Sequence, residues 1–177
     1  MKEWSSDRWV GVVAILASLG TLFVIVYQTN LFRKQQYASV LPYLEIWNSS
    51  NDDTYKLILI NNGIGPAFIE EVKLIYKDSV LQMDPADFAQ EVIKKEDSLT
   101  RFGYSNISKG RLVPAGNQIN LVQSIDDSLN AAILWSWFSG SDTTRLAYPE
   151  IEIQYSSVYG EQWIVKKYGT DLPIKVE

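Results

Sequence analysis

The sequence predicts one N-terminal transmembrane helix followed by a mainly-β, β-sandwich-like α+β soluble domain. Three observations carry that expectation: an uncharged apolar run near the start, repeated period-two alternation through the remainder, and a closing hairpin preceded by two helical inserts. The apolar run extends from Trp9 to Tyr27 without a charge, and Arg33 and Lys34 follow shortly after it. A helix of that length covers about 28 Å at about 1.5 Å per residue, close to the roughly 30 Å of a bilayer's hydrocarbon layer.

Two other readings of this run are a signal peptide and a buried core helix. A signal peptide needs a small-residue cleavage site, whereas the exit here is Tyr27-Gln28-Thr29-Asn30-Leu31-Phe32, bulky and polar. A core helix needs a polar face, yet between Val10 and Val26 only Ser18 and Thr21 carry polar groups. The expected organisation is therefore a short tail over 1–8, the transmembrane helix over 9–32, a stalk over 33–41 and a β-rich domain over 42–177.

The flanks suggest an orientation. Lys2 and Arg8 precede the span, and Arg33 and Lys34 stand at its exit. The tail is short and neutral and so the easier side to translocate, which places the domain in the cytosol and the chain in the inner membrane as a single-pass protein. Trp4, Trp9, Tyr27 and Tyr37 supply aromatic groups near the two interfaces. Within the span, Gly11, Ala14 and Ser18 share one stripe, and Ala17 and Thr21 form a further small-xxx-small pair. Such a stripe suits self-association in lipid, where close packing drives helix pairing; the alternative is that small residues are simply common in spans.

Composition excludes several function classes. Of 177 residues none is Cys or His, which removes disulfides, thiolate chemistry, the usual transition-metal ligands and the usual general base near neutral pH. The net charge is −5, and because Lys2 and Arg8 cancel Glu3 and Asp7, the excess lies after the span. That sign disfavours long nucleic acid as a partner while leaving room for a small anion in a local basic pocket. Carboxylates are the abundant catalytic candidates, but Glu70 and Glu71 are expected on opposite strand faces, and Glu150 and Glu152 on a wet one. With no nucleophile beside an activating base, the expectation is a protein that is not an enzyme, with no cofactor and no metal.

Along the domain, Pro42 should end the stalk helix. Residues 42–47 alternate as a first strand, 48–53 form a polar turn, and Tyr55 to Ile60 read as a central strand. Asn61-Asn62-Gly63-Ile64-Gly65-Pro66-Ala67 is a turn rich in residues tolerant of unusual backbone angles. From Phe68 to Tyr76 the pattern puts Phe68, Val72, Leu74 and Tyr76 on one face and Ile69, Glu71 and Lys73 on the other. Asp84 followed by Pro85 marks a helix start whose buried side is Phe88, Val92 and Ile93. Leu112 to Val122, with the turn Pro114-Ala115-Gly116-Asn117, is strand or hairpin material. Ser124 with Asp127 three residues on resembles a capping box opening a helix over 126–138, with Leu129, Ile133 and Trp137 on one side and Gly140 as its stop. Trp135 to Phe138 is either an exposed aromatic docking surface or the packing of that helix end. Residues 148–155 and 161–168 form the closing hairpin.

The glycine turn lacks the Gly-Lys-Ser/Thr ending and third glycine that phosphate binding requires, so it reads as a strand connection. Taken with the Pro-Ala-Gly turn and the Tyr-Gly of the closing hairpin, it resembles bacterial membrane-tethered β-sandwich domains, which implies the fold and no activity. The most ligand-like stretch is 100–111. Arg101, Lys109 and Arg111 can meet an anion and Tyr104 can stack a base, the alternative being a solvated loop. Lys166 and Lys167 read as a solvent-facing, charge-balancing pair, the alternative being a second basic contributor to that stretch. The layout is similar to that of bacterial antiviral membrane effectors. That likeness implies a domain sensing a cyclic nucleotide or a partner and a self-associating span that responds; the alternative is a membrane-anchored scaffold recruiting a protein partner.

Overall fold

A computed structural model describes residues 6–51, 53–125, 127–140, 147–167 and 172–176. The expectations for Lys2, Trp4, Asp126 and Tyr168 fall outside the described residues. The chain forms two compact units, Met1–Ser39 and Val40–Glu177.

The first unit is one helix, α1 (Ser6–Ala38), long and apolar enough to cross a membrane, with none of its apolar window buried. Its hydroxyls turn back on the helix: Ser18 Oγ donates to the Ala14 carbonyl at 2.8 Å and Thr21 Oγ1 to that of Ala17 at 2.9 Å. The apolar surface is thus continuous around the rod, which suits lipid, where every polar group must be satisfied internally.

The second unit is a sandwich of two antiparallel sheets. The strands are β1 (Leu44–Asn51), β2 (Thr54–Asn61), β3 (Ala67–Tyr76), β4 (Ser79–Leu81), β5 (Phe102–Tyr104), β6 (Leu112–Val113), β7 (Gln118–Ser124), β8 (Glu150–Ser156), β9 (Gln162–Lys166) and β10 (Ile174–Lys175). One sheet runs β1-β2-β7-β5; the other runs β10-β9-β8-β3-β4, with β6 also paired to β3. Between them lie Leu57 and Leu59 of β2, Leu121 of β7, Ile151, Ile153 and Tyr155 of β8 and Val165 of β9, all buried. The helical segments are α2 (Pro85–Phe88), a π-helical turn (Ala89–Ile93), α3 (Lys94–Glu96) and α4 (Ser128–Phe138). Phe88 meets Trp137 at 5.7 Å and Tyr76 at 5.3 Å between ring centres, an edge-to-face cluster that locks the helices to β3.

Several local expectations change. Residues 48–51 belong to β1, which pairs with β2 as far as Asn51↔Thr54. The turn at Pro114 joins the two sheets and is no hairpin, because β6 pairs with β3 while β7 pairs with β2 and β5. Asp127, not Ser124, caps α4, accepting the Leu129 N–H at 2.9 Å. Ser124 is in β7 and accepts the Tyr55 N–H. The buried stripe is Ala131, Leu134, Trp137 and Phe138, offset from the expected Leu129, Ile133 and Trp137, and Leu129 is exposed. Trp135 divides the two readings of its segment: it is 40% exposed, and Trp137 and Phe138 are fully buried.

The neck of this unit is held by one side chain. Asn61, fully buried, accepts the backbone N–H of Tyr43 at 3.1 Å and of Gly63 at 3.0 Å, and donates to the carbonyls of Gly65 at 2.9 Å and Val113 at 3.0 Å. Its own backbone bonds to Asn117 and Gly116. Both glycines of the loop have ordinary negative φ, contrary to the expectation of unusual angles. Their role is close approach: a Cβ on Gly65 would lie 1.8 Å from the Val40 carbonyl oxygen, and one on Gly63 2.4 Å from that of Leu41. Asn61→Asp removes both donors and buries a charge against two carbonyls. It should cost about 3 kcal/mol or more, read as a lowered denaturation midpoint of the purified chain; an unchanged midpoint would refute the role assigned to Asn61.

Candidate functional site

A groove of about 680 Å³ lies beside β3. Its first wall comes from an irregularity in that strand. Ile69 pairs with Tyr155 and Glu71 with Gln154, so Glu70 is an extra residue without a partner on β8. Such a bulge resets the alternation. Before it Ala67 and Ile69 point to the core; after it Leu74 and Tyr76 do. The expected placement of Ile69 opposite the core and Phe68 within it is therefore inverted. Glu70 and Glu71, expected on opposite faces, both line the groove.

The facing wall is built by Asp84. Its carboxylate caps α2 by accepting the Asp87 N–H at 2.9 Å, and its second oxygen accepts the Ile107 N–H at 2.8 Å and the Asn106 side-chain amide at 3.1 Å. One nearly buried acid thus staples the 106–109 loop to a helix start. Asn106 also reaches Asp87 at 3.3 Å. The Asp87 carboxyl is nonetheless pushed up, first by burial and then by the negative charge of Asp84. Glu70 accepts from the Ser156 hydroxyl at 2.7 Å and Glu71 from Gln82 at 3.3 Å. Among the described residues no cluster is arranged to hold a metal ion. The groove therefore offers carboxylate oxygens and amides to a polar, positively charged group.

The four residues singled out for an anion are distributed over two sheets. Arg101 is exposed ahead of β5, and Tyr104, half-exposed in β5, tilts against Phe102. Lys109 and Arg111 flank β3, where Gly110 N–H donates to Ile69 and the Arg111 carbonyl accepts from it. The Arg111 guanidinium donates to the Asn106 carbonyl. Lys109 alone of the four lines the groove, among Glu70, Glu71, Asp84 and Asp87. Those acids were not among the site residues expected from sequence. Two adjacent charges interrupting the alternation at Glu70-Glu71 were the available sign of a bulge.

Next to the groove, the outer face of the second sheet carries a charge ladder centred on Glu152, with Glu71 beyond Lys73 at 4.0 Å and Glu150 beyond Lys166 at 3.7 Å. Glu152 accepts from Lys73 and Lys166 at 2.6 Å each. Far from lying on a wet face, it is 6% exposed, covered by the stems of the two lysines. Lys166 is charge-balancing as expected, whereas Lys167 is buried and donates to Asn48 at 2.8 Å. Burial alone would raise the Glu152 pKa, but the hydrogen bonds from Lys166 and Lys73 outweigh it, and the carboxyl is held below its ordinary 4.5. A depressed carboxyl stabilises the fold above its unfolded pKa and loses that contribution as pH falls through the folded value. Glu152→Gln should destabilise by about 2 kcal/mol at neutral pH and by less below about pH 4. Denaturation measured across that range checks both the size and the sign.

The chain matches no protein-family model, no curated protein and no solved structure.

Proposed function

We propose that this chain is a single-pass membrane protein whose β-sandwich is a tethered interaction module, taking a basic segment of a partner protein into the groove beside β3. The observation that carries the reading is the groove's lining, in which Glu70, Glu71, Asp84 and Asp87 stand against Lys109. Charge complementarity of this kind selects partners and speeds their encounter. The short neutral tail ahead of the span, with Arg33 and Lys34 at its exit, favours a cytosolic domain at the inner membrane.

Binding at the sandwich would be passed on through the span. The Gly11, Ala14 and Ser18 stripe favours self-association, and Ser18 has its hydroxyl bonded within the helix, leaving backbone packing to hold the helices together. In this reading the scaffold alternative takes precedence over a cyclic-nucleotide sensor of the antiviral-effector type, because an anion in the groove would face four carboxylates.

The test uses the full chain reconstituted in vesicles, titrated separately with a fluorescent Lys/Arg-rich peptide, a Glu/Asp-rich peptide and a cyclic dinucleotide. The basic peptide should bind, weaken with added salt, and weaken about tenfold in the Glu70→Gln, Glu71→Gln double variant. Equal binding of the acidic peptide, or no response to the double variant, refutes the groove assignment. Nucleotide binding abolished by Lys109→Ala replaces it with the anion sensor. Separately, Ala14→Leu with Ser18→Leu should reduce crosslinked oligomers in the same vesicles; an undiminished ladder removes the stripe from the account.

A further inference from the structure

The neck end of the sandwich is chemically unlike its opposite end. Four segments converge at the neck: 40–43, 61–67, 113–117 and 157–161. Ile64 and Gly65 donate to the Leu41 carbonyl, and Gly116 and Asn117 bond to Asn61. The last segment is the β8–β9 turn, which leaves the sheet where Ser156 pairs with Phe68, next to the Ala67↔Val113 pair. These segments read VLPY, NNGIGPA, VPAGN and SVYGE; their one charged residue is Glu161, whose carboxylate is paired with Lys175 at 2.6 Å. Apolar side chains stand out from them: Ile64 is 67% exposed, and Val158 and Tyr159 are each 48% exposed.

The opposite end carries charges in three of its turns. There the β1–β2 turn holds Asp53, the β3–β4 turn holds Lys77 and Asp78, and Asp127 follows the end of β7. An acidic domain is repelled by the negative surface of an anionic membrane unless the end it presents carries no net negative charge. Apolar and aromatic tips at such an end are what the headgroup layer accepts.

Chain length brings that end within reach. The 33 residues of α1 extend about 50 Å against roughly 40–45 Å for a bilayer with its headgroups. Leu41 follows Ala38 by three residues, at most about 10 Å of chain.

We propose that the neck end, with its apolar tips and its one acid neutralised, rests on the headgroup layer of the bilayer that α1 spans, with Ile64, Val158 and Tyr159 entering it. This contact rests on the single-pass reading given above. It would hold the charged turns outward and leave the groove open to a partner.

The absence of cysteine makes a site-specific test direct. Ile64→Cys and Val158→Cys at the neck end, and Ser79→Cys at the other, are each labelled with an environment-sensitive fluorophore. The full chain is then reconstituted in phosphatidylethanolamine–phosphatidylglycerol vesicles, with and without lipids carrying a nitroxide near the headgroup. Labels at 64 and 158 should shift to the blue and be quenched at least roughly threefold more than the label at 79. Equal quenching at the three positions in a chain that resists alkaline carbonate overturns the contact and leaves the anchor standing. A blue shift without nitroxide quenching that grows with protein-to-lipid ratio overturns it in favour of a second copy covering this end. Release of the chain by carbonate overturns the anchor and the contact together.

Discussion

The hydrogen-bonding of the Asn61 side chain is the constraint on which the domain depends. A buried primary amide has two donors and two acceptor positions, and here all four are used. The partners belong to three separate segments, the neck at Tyr43, the loop at Gly63 and Gly65, and β6 at Val113. Because β6 pairs with β3 of one sheet and Asn61 ends β2 of the other, this single group ties the two sheets together where the chain arrives. The glycines around it have no Cβ because backbone already occupies that space.

A second device acts across the second sheet. One extra residue at Glu70 turns β3 over midway, so that the same strand contributes Ile69 to the core at one end and Leu74 at the other. The bulge leaves two neighbouring carboxylates on the groove side. Beyond it, the outer face is closed by the Lys73–Glu152–Lys166 ladder, in which a buried acid is stabilised by having a cation on each side. The face thus passes from a neutralised ladder to an acidic hollow within a few residues of β3.

These features give the sandwich three chemically distinct regions: an apolar-tipped neck end, a groove with acids on both walls, and charged turns at the far end. The groove's chemistry follows from Asp84, which serves the fold and the surface together. It caps α2 and pins the 106–109 loop, and the loop it pins completes the wall.

The sequence by itself determined what local pattern controls. The span followed from an unbroken apolar run, the β8–β9 hairpin from alternation around Tyr159-Gly160, and the start of α2 from Asp84-Pro85, since each depends on neighbours along the chain. Tertiary structure alone decided the inward turn of Ile69, the later start of α4 at Asp127, the burial of Glu152 and Lys167, and the pairing of β6 away from β7. In each case the outcome depends on which distant segment lies alongside. The groove belongs to this second group: Glu70 and Asp84 are fourteen positions apart, and only the bulge and the stapled loop set their carboxylates around one hollow.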